Sequence, residues 1–497
     1  MRRPAGHAVA GHVVESADAA QPSRSPSATD SDADPPPGRR GRLSWARRRY
    51  RLLELTGLFL LTIGLSIVVA SWRRFFDLSV YYGAVRYWAE GGFLYDFVAP
   101  NSTYGFTYTP FAALVLLPTA LLPWPVAIVA SCLATLVATV LLVHWFVDPV
   151  ARRTGWVPWY AVGVVVACAV AFDPLRETFL FGQVNMYLVA LVGFDLLVLT
   201  RRGSRFAGVG IGLATALKLT PGVFLIYLLV TGRWRIALTA ASAAAGATMV
   251  GGALAPDASR VFWTDALWNT DRVGQADYIS NQSLHGAVAR LNPLDPNTLL
   301  WLAAVVAVLA VWVVRVRRAA AVGDEKTGFA LTGIVTCLIS PITWVHHLVW
   351  VMPALLVLLD RAVSTSPEQR DGDEAGWRRK WPLGLGSRVW LRGLLVVSYV
   401  VLGSRVVWAF DDTWTNPLVW FASNAYVWVT LALLFALPIA KAPAAPAVQR
   451  PAQTPTVAEP VRRPDPVAVD AGRDAGEVLT PVGGNGAMAG VGGPARD

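Results

Sequence analysis

A carboxylate, a lysine, an arginine, several amides and a histidine pair interrupt long apolar stretches of this 497-residue chain. Asp77 opens Asp77-Leu78-Ser79-Val80-Tyr81-Tyr82 just after the first apolar run, and Tyr108-Thr109-Pro110 follows in the same connecting segment. Further on come Arg176-Glu177, Gly182-Gln183-Val184-Asn185, Lys218-Leu219-Thr220-Pro221, Asn281-Gln282-Ser283 and Ser340-Pro341-Ile342-Thr343-Trp344-Val345-His346-His347. Taken singly, each has an ordinary reading. Asp77 suits a solvated end residue, Lys218 a snorkelling cation, and Gln183 and Asn185 the loose backbone of a helix break. The histidine pair has no nearby third ligand for a metal site. Together they offer a general base and a cationic cradle for a phosphate leaving group. An aqueous loop keeps a carboxylate such as Asp77 ionised at neutral pH, and a lysine deep between apolar stretches is costly unless paired or functional.

The elements that must position these groups are membrane helices. Hydrophobic residues make up 54% of the chain and charged ones 15%, with 21 Trp, a balance that belongs to the membrane class. The net charge of +10 sits largely in short basic runs beside apolar segments, such as Arg47-Arg48-Arg49 and Arg201-Arg202. That distribution reads as topology anchoring and argues against a nucleic-acid partner. Cys132, Cys168 and Cys337 lie within apolar runs, with spacing for neither a disulfide framework nor a zinc site.

Apolar length predicts spans near 52–71, 126–147, 157–172, 184–199, 206–217, 222–231, 235–254, 298–314, 327–340, 347–360, 389–408 and 417–439. The expected fold class is therefore an all-α polytopic membrane protein of about twelve helices. The short pair around Lys218 reads equally as one broken helix. Pro110 to Pro123 is apolar but short and bounded by prolines, and is expected as a helix lying in the outer interface between the first two spans. Residues 1–48 and 441–497, rich in Pro, Ala, Ser and Gly, are expected to be disordered tails around a membrane domain at 49–440. With the N-terminus inside, Arg152-Arg153, Arg201-Arg202-Arg205, Arg233-Arg235, Arg315-Arg317-Arg318 and Arg378-Arg379-Lys380 all face the cytoplasm. Both tails are then cytoplasmic, and every chemical motif meets the extracytoplasmic face of a multi-pass cell-membrane protein.

At these residues the sequence resembles the GT-C glycosyltransferases, specifically the actinobacterial polyprenol-phosphate-mannose-dependent alpha-(1→2)-mannosyltransferase family. The resemblance spans roughly residues 50–440 and is carried by Asp77-Leu78-Ser79-Val80-Tyr81, Tyr108-Thr109-Pro110, Gly182-Gln183-Val184-Asn185, Gly212-Leu213-Ala214 leading to Lys218-Leu219-Thr220-Pro221, Asn281-Gln282-Ser283, and Ser340-Pro341 with Trp344 and His346-His347. Thr109 departs from it, standing where a proline-like or small residue is expected. The resemblance implies a polyprenyl-phosphate mannose donor, a glycolipid or lipoglycan acceptor of the cell envelope, inversion at the anomeric carbon, and neither metal nor other cofactor. Asp77 would be the catalytic base. Lys218, His346, His347 and Arg176 would hold the donor phosphate. Tyr81, Tyr108, Gln183, Asn185, Asn281 and Gln282 would position sugar and acceptor hydroxyls.

Two other functions compete. A polyprenyl-phosphate arabinofuranose donor would suit a related transferase, although Gly182-Gln183-Val184-Asn185 and the histidine pair look closer to the mannosyl branch. A lipid or sugar transporter would also carry polar residues among many spans. Transporters usually show paired broken helices in both halves, whereas one such pair, around Lys218, is visible here.

Overall fold

The computed structural model describes residues 37–69, 75–269, 273–363, 387–410 and 416–440. All lie in the first of two units, Met1–Ala442. Residues 1–36 and 441–497, expected as tail, fall outside the described part. The described residues are helical apart from connections, with an isolated antiparallel bridge between Val98 and Gly105.

The first helix, α1 (Pro37–Val69), opens within the segment 1–48 expected as a tail. Proline suits a first helical turn, whose N–H groups lack partners within the helix, and the Arg- and Leu-rich run behind it favours helix. There follow α2 (Phe76–Ala89), α3 (Pro110–Leu116), α4 (Trp124–Thr154), α5 (Pro158–Ala171), α6 (Asp173–Phe181), α7 (Asn185–Phe194), α8 (Val209–Leu217), α9 (Val223–Val230), α10 (Trp234–Leu254) and α11 (Pro256–Val261). The second half holds α12 (Leu284–Ala289), α13 (Thr298–Ala321), α14 (Glu325–Ile339), α15 (Met352–Val363), α16 (Ser387–Gly403), α17 (Pro417–Ser423) and α18 (Ala425–Ala436).

Among the described residues, α4, α10, α13 and the run Val345–Val363 are long and apolar enough to cross a membrane. Two bent pairs, α5–α6 at 73° and α17–α18 at 65°, raise this to six if each is one broken span. The protein is thus a helical membrane protein. The expected span 52–71 lies in α1 as far as Val69, several other expected spans coincide with shorter helices, and the pair around Lys218 is α8 and α9, separated by a break. Between Pro110 and Leu121 the chain makes α3 and a 3-10 turn, an apolar segment much shorter than a span.

One end of the bundle gathers basic residues and their partners. Arg153 at the end of α4 pairs with Asp360 in α15, Arg361 with Asp324 ahead of α14 (2.9 Å), and Arg233 ahead of α10 with Glu325 (2.7 Å). Lys326 reaches the carbonyl of Phe146 (3.3 Å), and Arg315 in α13 the carbonyls of Leu434 and Leu437. From there α14 rises for 15 residues, roughly 22 Å at 1.5 Å per residue. It ends at Ser340, beside the other polar segments.

Helix α8 is held at both ends and along one side. Its first N–H groups have no partners within the helix. The buried carboxylate of Asp195 accepts from Gly208 N (2.6 Å) and Ile211 N (3.0 Å) and so meets that need. Along its length α8 lies against the alanine-rich α10, where a Cβ on Gly212 would fall 2.3 Å from the carbonyl oxygen of Ala240. Only a glycine admits that approach, which is how small residues let membrane helices pack closely. Gly212→Val is therefore expected to destabilise the fold by about 1–3 kcal/mol through overpacking, lowering the melting temperature of the detergent-purified protein. Gly246→Ala in α10, where a Cβ would meet nothing within 4 Å, should not lower it, since alanine favours helix over glycine.

Candidate active site

Asp77 stands in the first turn of α2, where free N–H groups and the helix dipole favour a carboxylate. The start of α2 is tied to the end of α6: Phe75, in the left-handed region at φ 55°, donates its N–H to Leu180 O (2.9 Å). Gly182 then turns the chain out of α6 with φ 70°, and a Cβ there would sit 2.5 Å from that of Leu78. The close turn brings Gln183 onto α2, and its amide donates to Asp77 Oδ2 at 2.6 Å.

From Gln183 a polar chain continues to the helix break. Tyr108 donates to Gln183 Oε1 (3.2 Å) and shares a 2.8 Å hydroxyl contact with Tyr81, which lies one helical turn after Asp77 on α2. Lys218 caps α8 in extended conformation. Its ammonium donates to Asn185 Oδ1 (3.1 Å) and Tyr108 Oη (3.4 Å), and lies 3.1 Å from His347 Nε2. Asn185, at the start of α7, also donates to Gln183 Oε1 and to the carbonyl of His346, both at 3.4 Å. Burial pushes Lys218 down to about 8, with Asp77 pulling the other way. Burial likewise drives the Tyr81 and Tyr108 phenols upward, so both remain neutral donors.

Thr109, the departure from the expected motif, has a clear task. Its side chain accepts from Ala112 N (3.1 Å), capping α3, and donates to Ala216 O (2.5 Å) beside Lys218. A proline there would offer neither contact.

These groups line a cavity of about 770 Å³. Asp77, Tyr81, Tyr108, Gln183, Lys218, His346 and His347 all reach it, and Asn185 stands behind Lys218. Facing them is an aromatic wall of Tyr278, Trp344 and Trp408, with Tyr278 edge-on to both indoles at ring separations of 5.9 and 6.0 Å. Phe262 and Leu267 continue an apolar lining. Tyr278 lies just ahead of Asn281-Gln282-Ser283 and Trp408 in a segment with no motif, and spacing alone gave no sign of either. Trp344 does lie in a motif, but nothing in the motif marked it as a wall.

Three expected site residues are elsewhere. Arg176 is buried in an ion-pair cluster, paired with Asp173, while Arg405 binds Asp173 (3.2 Å) and Glu177 (3.1 Å). Two carboxylates balance two guanidiniums there; Arg176 pairs within α6 and does not line the cavity. Asn281 and Gln282 are also fully buried. Asn281 donates to Ala276 O and Pro341 O and accepts from Thr343 N. Gln282 donates to Ile279 O and Ser423 O. Their amide groups satisfy backbone that is out of helix, and neither residue lines the cavity. Among the described residues, no group of three His, Cys, Asp or Glu side chains is placed to hold a metal ion.

Residues 106–341 match glycosyltransferase family 87. The chain is 32% identical over 402 residues to the polyprenol-phosphate-mannose-dependent alpha-(1-2)-phosphatidylinositol mannoside mannosyltransferase of Mycobacterium tuberculosis, covering 75% of this chain and 88% of that protein. Identity to the Mycolicibacterium smegmatis protein of the same description is 33% over 424 residues, covering 76% and 94%. A polyprenol-phosphate-mannose-dependent alpha-(1-2)-phosphatidylinositol pentamannoside mannosyltransferase of M. smegmatis is 30% identical over 386 residues, covering 74% and 86%. No solved structure matches. The chain belongs to glycosyltransferase family 87, among the polyprenol-phosphate-mannose-dependent alpha-(1-2)-mannosyltransferases that its motifs resemble.

Proposed function

We propose that this membrane glycosyltransferase moves mannose from polyprenyl-phosphate mannose to a hydroxyl of an envelope glycolipid, in alpha-(1→2) linkage and with inversion. The observation that carries the reading is one hydrogen-bonded chain along the cavity wall, with the Asp77 carboxylate at one end and the Lys218 ammonium at the other. The acceptor hydroxyl oxygen attacks the anomeric carbon and gives its proton to Asp77. The bond from that carbon to the phosphate oxygen breaks, and the polyprenyl phosphate leaves with the electron pair. Lys218 opposes the charge that grows on the phosphate, and His347 beside it offers a further polar contact. Tyr81, Tyr108 and Gln183 position hydroxyls of the sugars. The relatives' names, which specify phosphatidylinositol mannosides, favour an acceptor of that class.

The same reading takes the chain about twelve times across the membrane in a GT-C arrangement, with both termini cytoplasmic and the cavity extracytoplasmic. Its support is the gathering of Arg153, Arg233, Arg315 and Arg361 at the end of the bundle away from the cavity. In a chain freed of its own cysteines, Leu294→Cys should react with a membrane-impermeant maleimide on intact cells. Arg318→Cys should react only after permeabilisation, and the reverse pattern would invert the topology.

Asp77→Asn keeps a hydrogen-bond acceptor for Gln183 but removes the base, so transfer in membranes should fall by about 10²–10⁴-fold at equal protein level. Normal turnover by this variant would remove Asp77 from the role. If the same membranes used polyprenyl-phosphate arabinofuranose in place of the mannose donor, the sugar assignment would change.

Lys218 carries its charge below about 8 and loses it above. The apparent KM for donor should therefore rise as pH passes through that region, while the acceptor KM moves little. Lys218→Ala should raise the donor KM selectively and flatten this pH dependence. Equal loss for both substrates would indicate a structural role.

A further inference from the structure

A second cavity, of about 650 Å³, lies at the basic end of the bundle where α13 ends beside the end of α18. This is within the volume range of sites that take small organic ligands. Val311, Val314, Arg315, Arg318, Phe435 and Leu437 give its character. Arg315 is anchored by the carbonyls of Leu434 and Leu437, which fix its guanidinium at the rim without cancelling its charge. Arg318 follows one turn later on the same face of α13. Among the described residues, no carboxylate lines this cavity. Its neighbours at this end of the bundle are treated differently, because Arg153, Arg233 and Arg361 each have an acidic partner.

The wall beside these cations is apolar and open. Val314 is 48% and Phe435 61% exposed, on helices whose outer surfaces are otherwise suited to lipid. Two guanidiniums with no carboxylate partner among the described residues, at the mouth of an apolar groove, complement a phosphodiester with acyl chains attached. Guanidinium is well suited to phosphate through paired N–H donors. Basic pockets between membrane helices near the cytoplasmic surface are where anionic headgroups dock.

We propose that this cavity is a binding site for an anionic phospholipid, separate from the catalytic cavity and independent of which sugar is transferred. The headgroup phosphate accepts hydrogen bonds from Arg315 and Arg318, and one acyl chain lies along Val311, Val314 and Phe435.

The test uses the full-length protein, delipidated in detergent and titrated with phosphatidylglycerol or phosphatidylcholine of identical acyl chains, with bound lipid counted by native mass spectrometry. Wild type should retain phosphatidylglycerol in preference to phosphatidylcholine. Arg318→Gln should weaken phosphatidylglycerol binding roughly tenfold, as loss of one charge-assisted contact predicts, while Arg318→Lys retains most of it. Val314→Trp leaves both charges in place but fills the acyl groove, and should also lose the lipid. Arg202→Gln, at an exposed arginine outside the cavity lining, should bind as wild type does. Equal retention of both lipids by wild type would overturn the proposal. So would unchanged binding in both Arg318→Gln and Val314→Trp, or an equal loss in Arg202→Gln.

Discussion

An ammonium between two apolar helices must be met by polar groups, and the cavity-bearing part of this protein is arranged around that demand. Lys218 sits where α8 stops and α9 has not begun, and side chains from three other segments converge on it: Tyr108, Asn185 and His347. Those partners belong to the connection after α2, the start of α7 and the 3-10 turn before α15. Meeting one charge therefore fixes the relative placement of distant parts of the chain. The supports for α8 serve the same end. Asp195 holds its start, Gly212 lets it lie against α10, and Thr109 ties its last turn to α3. A shift of α8 would carry the ammonium away from its partners, which is costly in a low-dielectric interior.

The protein treats its other buried charges in a different way. Asp173, Arg176, Glu177 and Arg405 form a set in which each cation faces a carboxylate, joining α6 to the segment after α16. Such a cluster is spent on structure, since removing one partner would leave another charge buried and unmatched. Lys218 is met by neutral dipoles, so a positive charge remains at the cavity surface for an anion to use. The contrast separates two residues that look alike in sequence. Both Arg176 and Lys218 are basic residues among apolar stretches, and only one has an adjacent acid to neutralise it.

Much of the fold was legible because apolar runs and flanking arginines are properties of contiguous sequence. The runs at 126–147, 235–254 and 298–314 lie within α4, α10 and α13. The 73° bend between α5 and α6 was not legible, because a break at Phe172 depends on what the two helices pack against. Asp77, Gln183 and Lys218 were identified from charge or polarity next to helix ends, and they do meet in one cavity. Asn281 and Gln282 carried the same signal but are consumed by backbone groups of 276–279, 341, 343 and 423. An amide in a loop serves a sugar or a carbonyl equally well, and only the surrounding chain decides between them. Arg405 lies 228 residues from Glu177, so no local pattern could reveal that the acidic side of the cluster was filled from afar.

The bridge between the two charges matters as much as the charges. A direct ion pair between Asp77 and Lys218 would occupy the cation and withdraw it from a donor phosphate. Gln183 and Tyr108 stand between them instead, an amide and a phenol that carry no charge. Gln183 donates to the carboxylate and accepts from Tyr108, so it orients Asp77 while holding it apart from the ammonium. Tyr108 in turn accepts from Lys218 and is buried enough to keep its proton. Substituting an ionisable group at either bridging position would shorten the electrostatic distance between base and cation, and the separation on which the proposed chemistry depends would be lost. This requirement for neutral, two-sided hydrogen-bonding groups accounts for finding glutamine and tyrosine at these positions.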